Sequence, residues 1–186
     1  MKVKEVIRTV ALLLNREDVI EYLDSGVAQE GSDTLKTVNV LVELLNLVVS
    51  ELSSTYIPAV KSERVSLYNG KVNYSVLSEQ VLKILHVIDD NGKEIDFTQY
   101  NEFFTFGCPS ATVEYEYLPK VVGIDDELCY SESKIEKRVL SYGTLAEYAI
   151  TEGDFDEAVM WHKRYVDGVE AICLPQNKKV KRRRWV

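Results

Sequence analysis

The spacing of apolar residues changes period twice along this chain, and those two changes limit the folds open to it. From residue 3 to residue 54 apolar side chains recur at helical spacing; from 57 to 120 they alternate; from 133 helical spacing returns. Val3, Val6, Ile7, Val10, Leu13 and Leu14 form one helical stripe over 3–14, and a short helix is expected over about 17–23. Gly26 to Asp33, rich in small and polar residues, reads as a loop. Ser32 or Asp33 then caps a long helix from Thr34 to Ser54.

Pro58 ends this helical region. Val65–Tyr68, Asn69-Gly70 and Lys71–Tyr74 predict a hairpin, because Asn-Gly supplies the positive φ angles of a type I′ turn. Val81–Ile88, a turn at Asp89–Gly92 and Glu94–Phe97 predict a second one, and strands are expected at 103–106 and 112–118. In the last strand Val113, Tyr115 and Tyr117 face one way, and Thr112, Glu114 and Glu116 the other. The segment therefore reads as one small antiparallel sheet with a wet face.

Ser133-x-x-Glu136 has the form of a capping box opening a helix to about Ile150, with Ile135, Val139, Tyr142, Ala146 and Ala149 inward and Gly143 small enough for close packing. Thr151-Glu152-Gly153-Asp154 predicts a tight turn into a last helix, whose inward stripe reads Phe155, Val159, His162, Val166, Val169 and Cys173 up to Pro175. The fold class is α+β: a helical bundle formed by both chain ends (1–56 and 130–174), a small antiparallel β insert (57–120), an acidic linker (121–129) and an extended basic C-terminal tail (175–186).

The long helix carries its polar residues Lys36, Asn39, Glu43, Asn46, Ser50 and Ser53 in one narrow stripe, with apolar side chains over most of the rest. A surface helix of a monomer shows one apolar face. Two arrangements fit. Either the helix is buried within its own domain, or one flank meets the core and the other a neighbouring subunit, through Leu41, Leu44, Leu45, Val48 and Leu52.

Several classes drop out. The strongest apolar stretch, Val40 to Val49, contains Glu43 and Asn46 and is too short to span a membrane. The N-terminal apolar patch Val10–Leu14 runs straight into Asn15-Arg16-Glu17-Asp18, which is not a signal-peptide cleavage pattern. Cys108, Cys129 and Cys173 are odd in number and far apart, which suits a reducing compartment. Catalytic candidates are poor. His86 in an apolar strand and His162 beside Trp161 both read as buried structural histidines, with no second ligand at metal spacing. Cys173 and His162 lie about 16 Å apart along a helix, too far for a nucleophile–base pair. Asp125-Asp126-Glu127 reads as a solvated linker, and Asp154, Asp156 and Glu157 as cap and dipole partners of a helix start. No catalytic, cofactor-binding or metal-binding constellation is expected, and no cofactor.

Charge is divided unevenly. The net charge is −8, yet Lys178, Lys179, Lys181, Arg182, Arg183 and Arg184 sit together beside Trp185. The other 16 basic residues against 30 acidic ones leave −14 for everything before them. Such a body repels nucleic acid at long range. The tail fits four readings: a disordered solubilising segment, a polyanion-binding arm, a nuclear-localisation pattern, or a segment that docks on an acidic protein surface with Trp185 as anchor.

The run Val139-Leu140-Ser141-Tyr142-Gly143-Thr144-Leu145-Ala146-Glu147-Tyr148, then Asp156-Glu157-Ala158-x-x-Trp161-x-x-Arg164-Tyr165 and the closing Arg183-Arg184-Trp185, resembles the head–tail connector (adaptor) proteins of tailed bacteriophages. The long apolar helix followed by a β region is similar to their tail tubular and head-completion members. The resemblance implies a virion neck protein made in the host bacterial cytoplasm, forming a homo-oligomeric ring, commonly of twelve subunits, below the portal protein. It also implies a next tail or neck protein as partner, genomic DNA passing through the channel without sequence-specific binding, and no membrane. The tail residues Lys178 to Trp185 would then dock on the portal. The alternative is a cytosolic nucleic-acid-binding regulator with an acidic oligomerisation body and a basic arm.

Overall fold

The computed structural model describes residues 1–26 and 33–173, so the expected loop at 27–32 and the basic tail lie outside the described residues. The chain is mixed helix and sheet. α1 (Val3–Leu13) buries Val3, Val6, Ile7, Val10 and Ala11, and α2 (Glu17–Ser25) ends on Gly26 in the left-handed region at φ 71°. α3 (Asp33–Glu51) continues into a single π-helical turn, Leu52–Tyr56. There the hydroxyls of Ser53 and Ser54 bond back to the Ser50 carbonyl, competing with the backbone ladder and loosening the last turn before Pro58.

Six strands follow: β1 (Ala59–Ser66), β2 (Val72–Asn73), β3 (Gln80–Ile88), β4 (Phe97–Gln99), β5 (Phe103–Phe106) and β6 (Ser110–Leu118). They form two three-stranded antiparallel sheets, β1-β6-β3 and β2-β5-β4, where one sheet was expected. The Asn-Gly turn forms as read: Asn69 and Gly70 have φ of 51° and 76°, and Tyr68 and Lys71 exchange backbone hydrogen bonds of 2.9 and 3.1 Å. Its flanking strands nevertheless do not pair with each other. β1 is zipped along its whole length to β6, and β2 pairs with Phe103 and Phe104 of β5, so the turn carries the chain from one sheet to the other. The second hairpin is short, closing through Ile88 and Glu94 before β4 leaves for β5. β6 alternates as expected, with Ala111, Val113 and Tyr115 buried and Thr112, Glu114 and Glu116 on the wetter face.

The helical period returns later than the capping box implied. α4 spans Lys137–Glu152, with Glu136 at its N-cap and no side-chain cap. Ser133 instead shares a hydrogen bond with the Ser131 hydroxyl (2.8 Å), because residues 131–135 form a separate turn that sends Ile135 into the core. The turn into α5 (Phe155–Cys173) is as read: Gly153 takes φ 80° and the Asp154 carboxylate accepts the Glu157 N–H at 3.1 Å. The inward face of α5 is rotated from the expected stripe. Ala158, Trp161, Tyr165 and Val169 are buried, whereas Phe155, Val159, His162 and Cys173 are exposed. Both sets recur at helical spacing, and the larger rings of Trp161 and Tyr165 take the core.

Two hydrophobic clusters result. One is built by the five helices with Leu128, Tyr130 and Ile135; the other by the strands, around Ile84, Val87, Phe104, Val113 and Tyr115. Where the chain leaves and re-enters the helices, the Tyr130 hydroxyl donates to the Ile57 carbonyl at 2.6 Å in a buried bond. The acidic linker is tied as well. Val3 N–H donates to the Asp126 carbonyl (3.1 Å) and Leu128 N–H to that of Met1 (2.9 Å).

Candidate interaction surfaces

The five α3-region residues expected at a subunit interface are core residues of their own chain: Leu41, Leu44, Leu45, Val48 and Leu52 are 0–7% exposed. The correction has a packing reason. α3 lies against α4, and Gly143 lets it approach so closely that a Cβ there would stand 2.7 Å from Val48 Cγ1. What α3 offers to solvent is Val40 and Leu47, 37% and 59% exposed. The predicted docking residues Lys178, Lys179, Lys181, Arg182, Arg183, Arg184 and Trp185 lie outside the described residues.

Leu47 lines a groove of about 430 Å³ with Leu44, Leu118, Pro119 and Val121, and Glu43 stands at its edge. The groove is made by one side chain that sequence reasoning placed on a plain polar stripe. Asn46 donates to the Val122 carbonyl (2.9 Å) and accepts from the Val122 N–H (3.0 Å), a two-bond clamp that holds the linker against α3. With Val122 pinned, Val121 turns outward and is 83% exposed. The sequence signal was the apolar pair Val121-Val122 that opens the linker ahead of its acidic run Asp125-Asp126-Glu127. A second apolar surface lies on the outer side of α5, where Phe155, Val159 and Met160 are 67%, 70% and 41% exposed.

A polar cluster joins β1, residues 78–79 and Lys120 just beyond β6. Lys61 Nζ reaches the Ser78 hydroxyl (2.6 Å), Glu63 (3.1 Å) and Glu79 (3.3 Å); Lys120 reaches Glu79 (3.2 Å) and the Ser78 carbonyl (2.8 Å). The Ser78 hydroxyl and backbone N–H both donate to Glu63. A serine beside a lysine suggests a nucleophile and its base, but a base must be neutral. Here hydrogen bonding to Glu63 raises the Lys61 pKa, which keeps the ammonium charged. Burial pushes the Glu63 carboxyl up, yet the bonds from Ser78 and Lys61 outweigh it and hold the group at about 2. The cluster is an electrostatic clasp between strands.

Neither histidine is buried. His86 stands on the wet face of β3 with Nδ1 2.7 Å from Glu94 and with Glu114 opposite on β6; hydrogen bonding to Glu94 raises its pKa. The register of β3 slips between Ile84 and His86, and this irregularity breaks the alternation: Ile84 and Val87 are both buried while His86 is exposed. His162 is exposed on α5, 6.2 Å from the Tyr165 ring between centroids. Among the described residues no three His, Cys, Asp or Glu side chains are grouped to hold a metal ion, and no helix is long and apolar enough to cross a membrane. Set against known proteins, the chain matches no family model and no curated protein.

Proposed function

We propose that this chain is a structural virion protein, a head–tail adaptor that forms a ring below the portal, conducts DNA and offers the tail its attachment surface. The observation that supports this reading best is the pair of unlike apolar surfaces, the Leu47–Val121 groove and the Phe155–Val159–Met160 face. They lie on α3 and α5, helices that both pack on α4. Two unlike patches suit a heterologous contact, in which the groove of one subunit receives the α5 face of the next, and repetition of that contact about an axis closes a ring. The interface thus moves from the buried leucines to Leu47 and its neighbours. The net −14 outside the tail suits a channel along which DNA slides, because it supplies repulsion in place of phosphate contacts. The basic residues 178–184 with Trp185 would supply the arm that grips the portal.

Electron microscopy of the protein mixed with its cognate portal ring tests this. The expected outcome is added ring density at the narrow end of the portal, lost when residues 176–186 are deleted. A chain that ignores the portal and binds duplex DNA, with a log–log salt slope of up to roughly −5 for six neutralised phosphates, is instead the nucleic-acid-binding regulator.

A further inference from the structure

We infer that the groove between α3 and the exit of β6 is the docking site of the chain's own basic tail, with Trp185 and Val186 seated on Leu47 and Val121. Three observations converge. The groove is apolar in Leu44, Leu47, Leu118, Pro119 and Val121, and at about 430 Å³ it has room for an indole beside a small aliphatic group. Its free charge is negative. Glu43 at the edge and Glu51 two turns along α3 are exposed, and no ion pair among the described residues engages either; the lining cation Lys120 is held by Glu79 at 3.2 Å. The tail has the complementary order, with Arg182-Arg183-Arg184 directly before Trp185-Val186.

Reach permits it. α5 ends with the Cys173 thiol 3.8 Å from the carbonyl of Tyr56, at the foot of the helix that carries the groove. From Tyr56 back to Leu47 is about 14 Å at the helical rise. The chain from 174 to 186 spans up to about 44 Å when extended. The indole would cover the most exposed apolar side chains of α3 and the linker, and the arginines would lie over Glu43 and Glu51. A buried aromatic anchor flanked by charge-assisted contacts is the usual make-up of a strong docking site. This latch does not depend on the ring reading. Where that reading holds, drawing the tail away bares the groove for the next subunit.

The test is nuclear Overhauser spectroscopy on the full chain, without portal or DNA. Contacts are expected between the Trp185 indole and the methyls of Leu47 and Val121, unchanged on dilution. They should be lost in Leu47→Glu and in the triple variant Arg182→Glu, Arg183→Glu, Arg184→Glu, whose changes lie outside the described residues. The Trp161 indole, bonded to Glu157 at 3.0 Å, should keep its resonance in both, which reports an intact fold. The inference is overturned if Trp185 resonates as it does in a synthetic 174–186 peptide, if its contacts persist in the triple variant, or if they arise only between differently labelled chains. Portal binding is measured separately, so failure of the latch and failure of the adaptor reading are told apart.

Discussion

At the scale of single residues, Gly143 is the most tightly enclosed of the described glycines. A Cβ at Gly143 would meet Val48 Cγ1 at 2.7 Å and the Tyr165 ring at 3.1 Å. Alanine gains about 1 kcal/mol over glycine within a helix. Overpacking costs about 1–3 kcal/mol, and the β-branched Val48 has few rotamers into which to retreat. Gly143→Ala should therefore lower the urea midpoint at unchanged m, with a net loss of up to about 2 kcal/mol. The His86–Glu94 pair sets a pH dependence of defined sign. Because the folded-state pKa lies above the ordinary 6.5, the pair stabilises below that value and its contribution fades as pH rises through the folded value. An NMR titration of the His86 ring should show a midpoint above 6.5, which Glu94→Gln brings back down. Gly143 was legible as a packing residue from its place on an inward stripe. The histidine partner was not: the hairpin that brings Glu94 near was legible, but not the register irregularity between Ile84 and His86 that accompanies an exposed ring.

At the scale of elements, α5 shows what periodicity leaves open. Phe155, Val159 and His162 recur at helical spacing, and so do Ala158, Trp161 and Tyr165, one position away. Only packing against α4 chooses, through the stacking of Trp161 on Tyr142 at 5.5 Å and the fit of Tyr165 against Gly143. Trp161→Ala should cost about 3–5 kcal/mol, and Val159→Lys should stay within about 0.5 kcal/mol in the same denaturation assay. The opposite ranking would restore the stripe expected from the sequence. The Asn-Gly turn carries a similar lesson. Its geometry is local and forms as read, but β1 finds an eight-residue ladder with β6, and two residues of β2 find β5. A tight turn reverses a chain without deciding which strands share a sheet.

At the scale of the molecule, the helical and strand clusters are separate cores, and the segments flanking the strands are tied to the helical one: Tyr130 to Ile57, Asn46 to Val122, and the linker to Met1 and Val3. The ring contact proposed above has a signature at this scale. Leu47→Asp and Phe155→Asp should each abolish assembly on the portal, while a mixture of the two lacking residues 176–186, which leaves the groove uncovered, should form heterodimers through the one intact pairing of groove and α5 face. Sedimentation velocity reads that outcome, and an isologous contact would not produce it.

The sequence by itself determined the α+β class, the order of the helices and most strands, the turns at Asn69-Gly70 and Gly153, and the alternation along β6. These depend on local torsions and on period, which neighbours in the chain set. Only the tertiary structure decided that the strands divide into two sheets, that α5 turns Trp161 inward, and that Leu41 and Leu45 of α3 face their own core while Leu47 faces solvent. Those outcomes are choices among surfaces of similar apolarity, made by which side chains meet across long sequence separations. The groove is the clearest case. Leu47, Leu118 and Val121 become one surface only because Asn46 holds Val122 against α3, a contact between residues 76 apart in the chain.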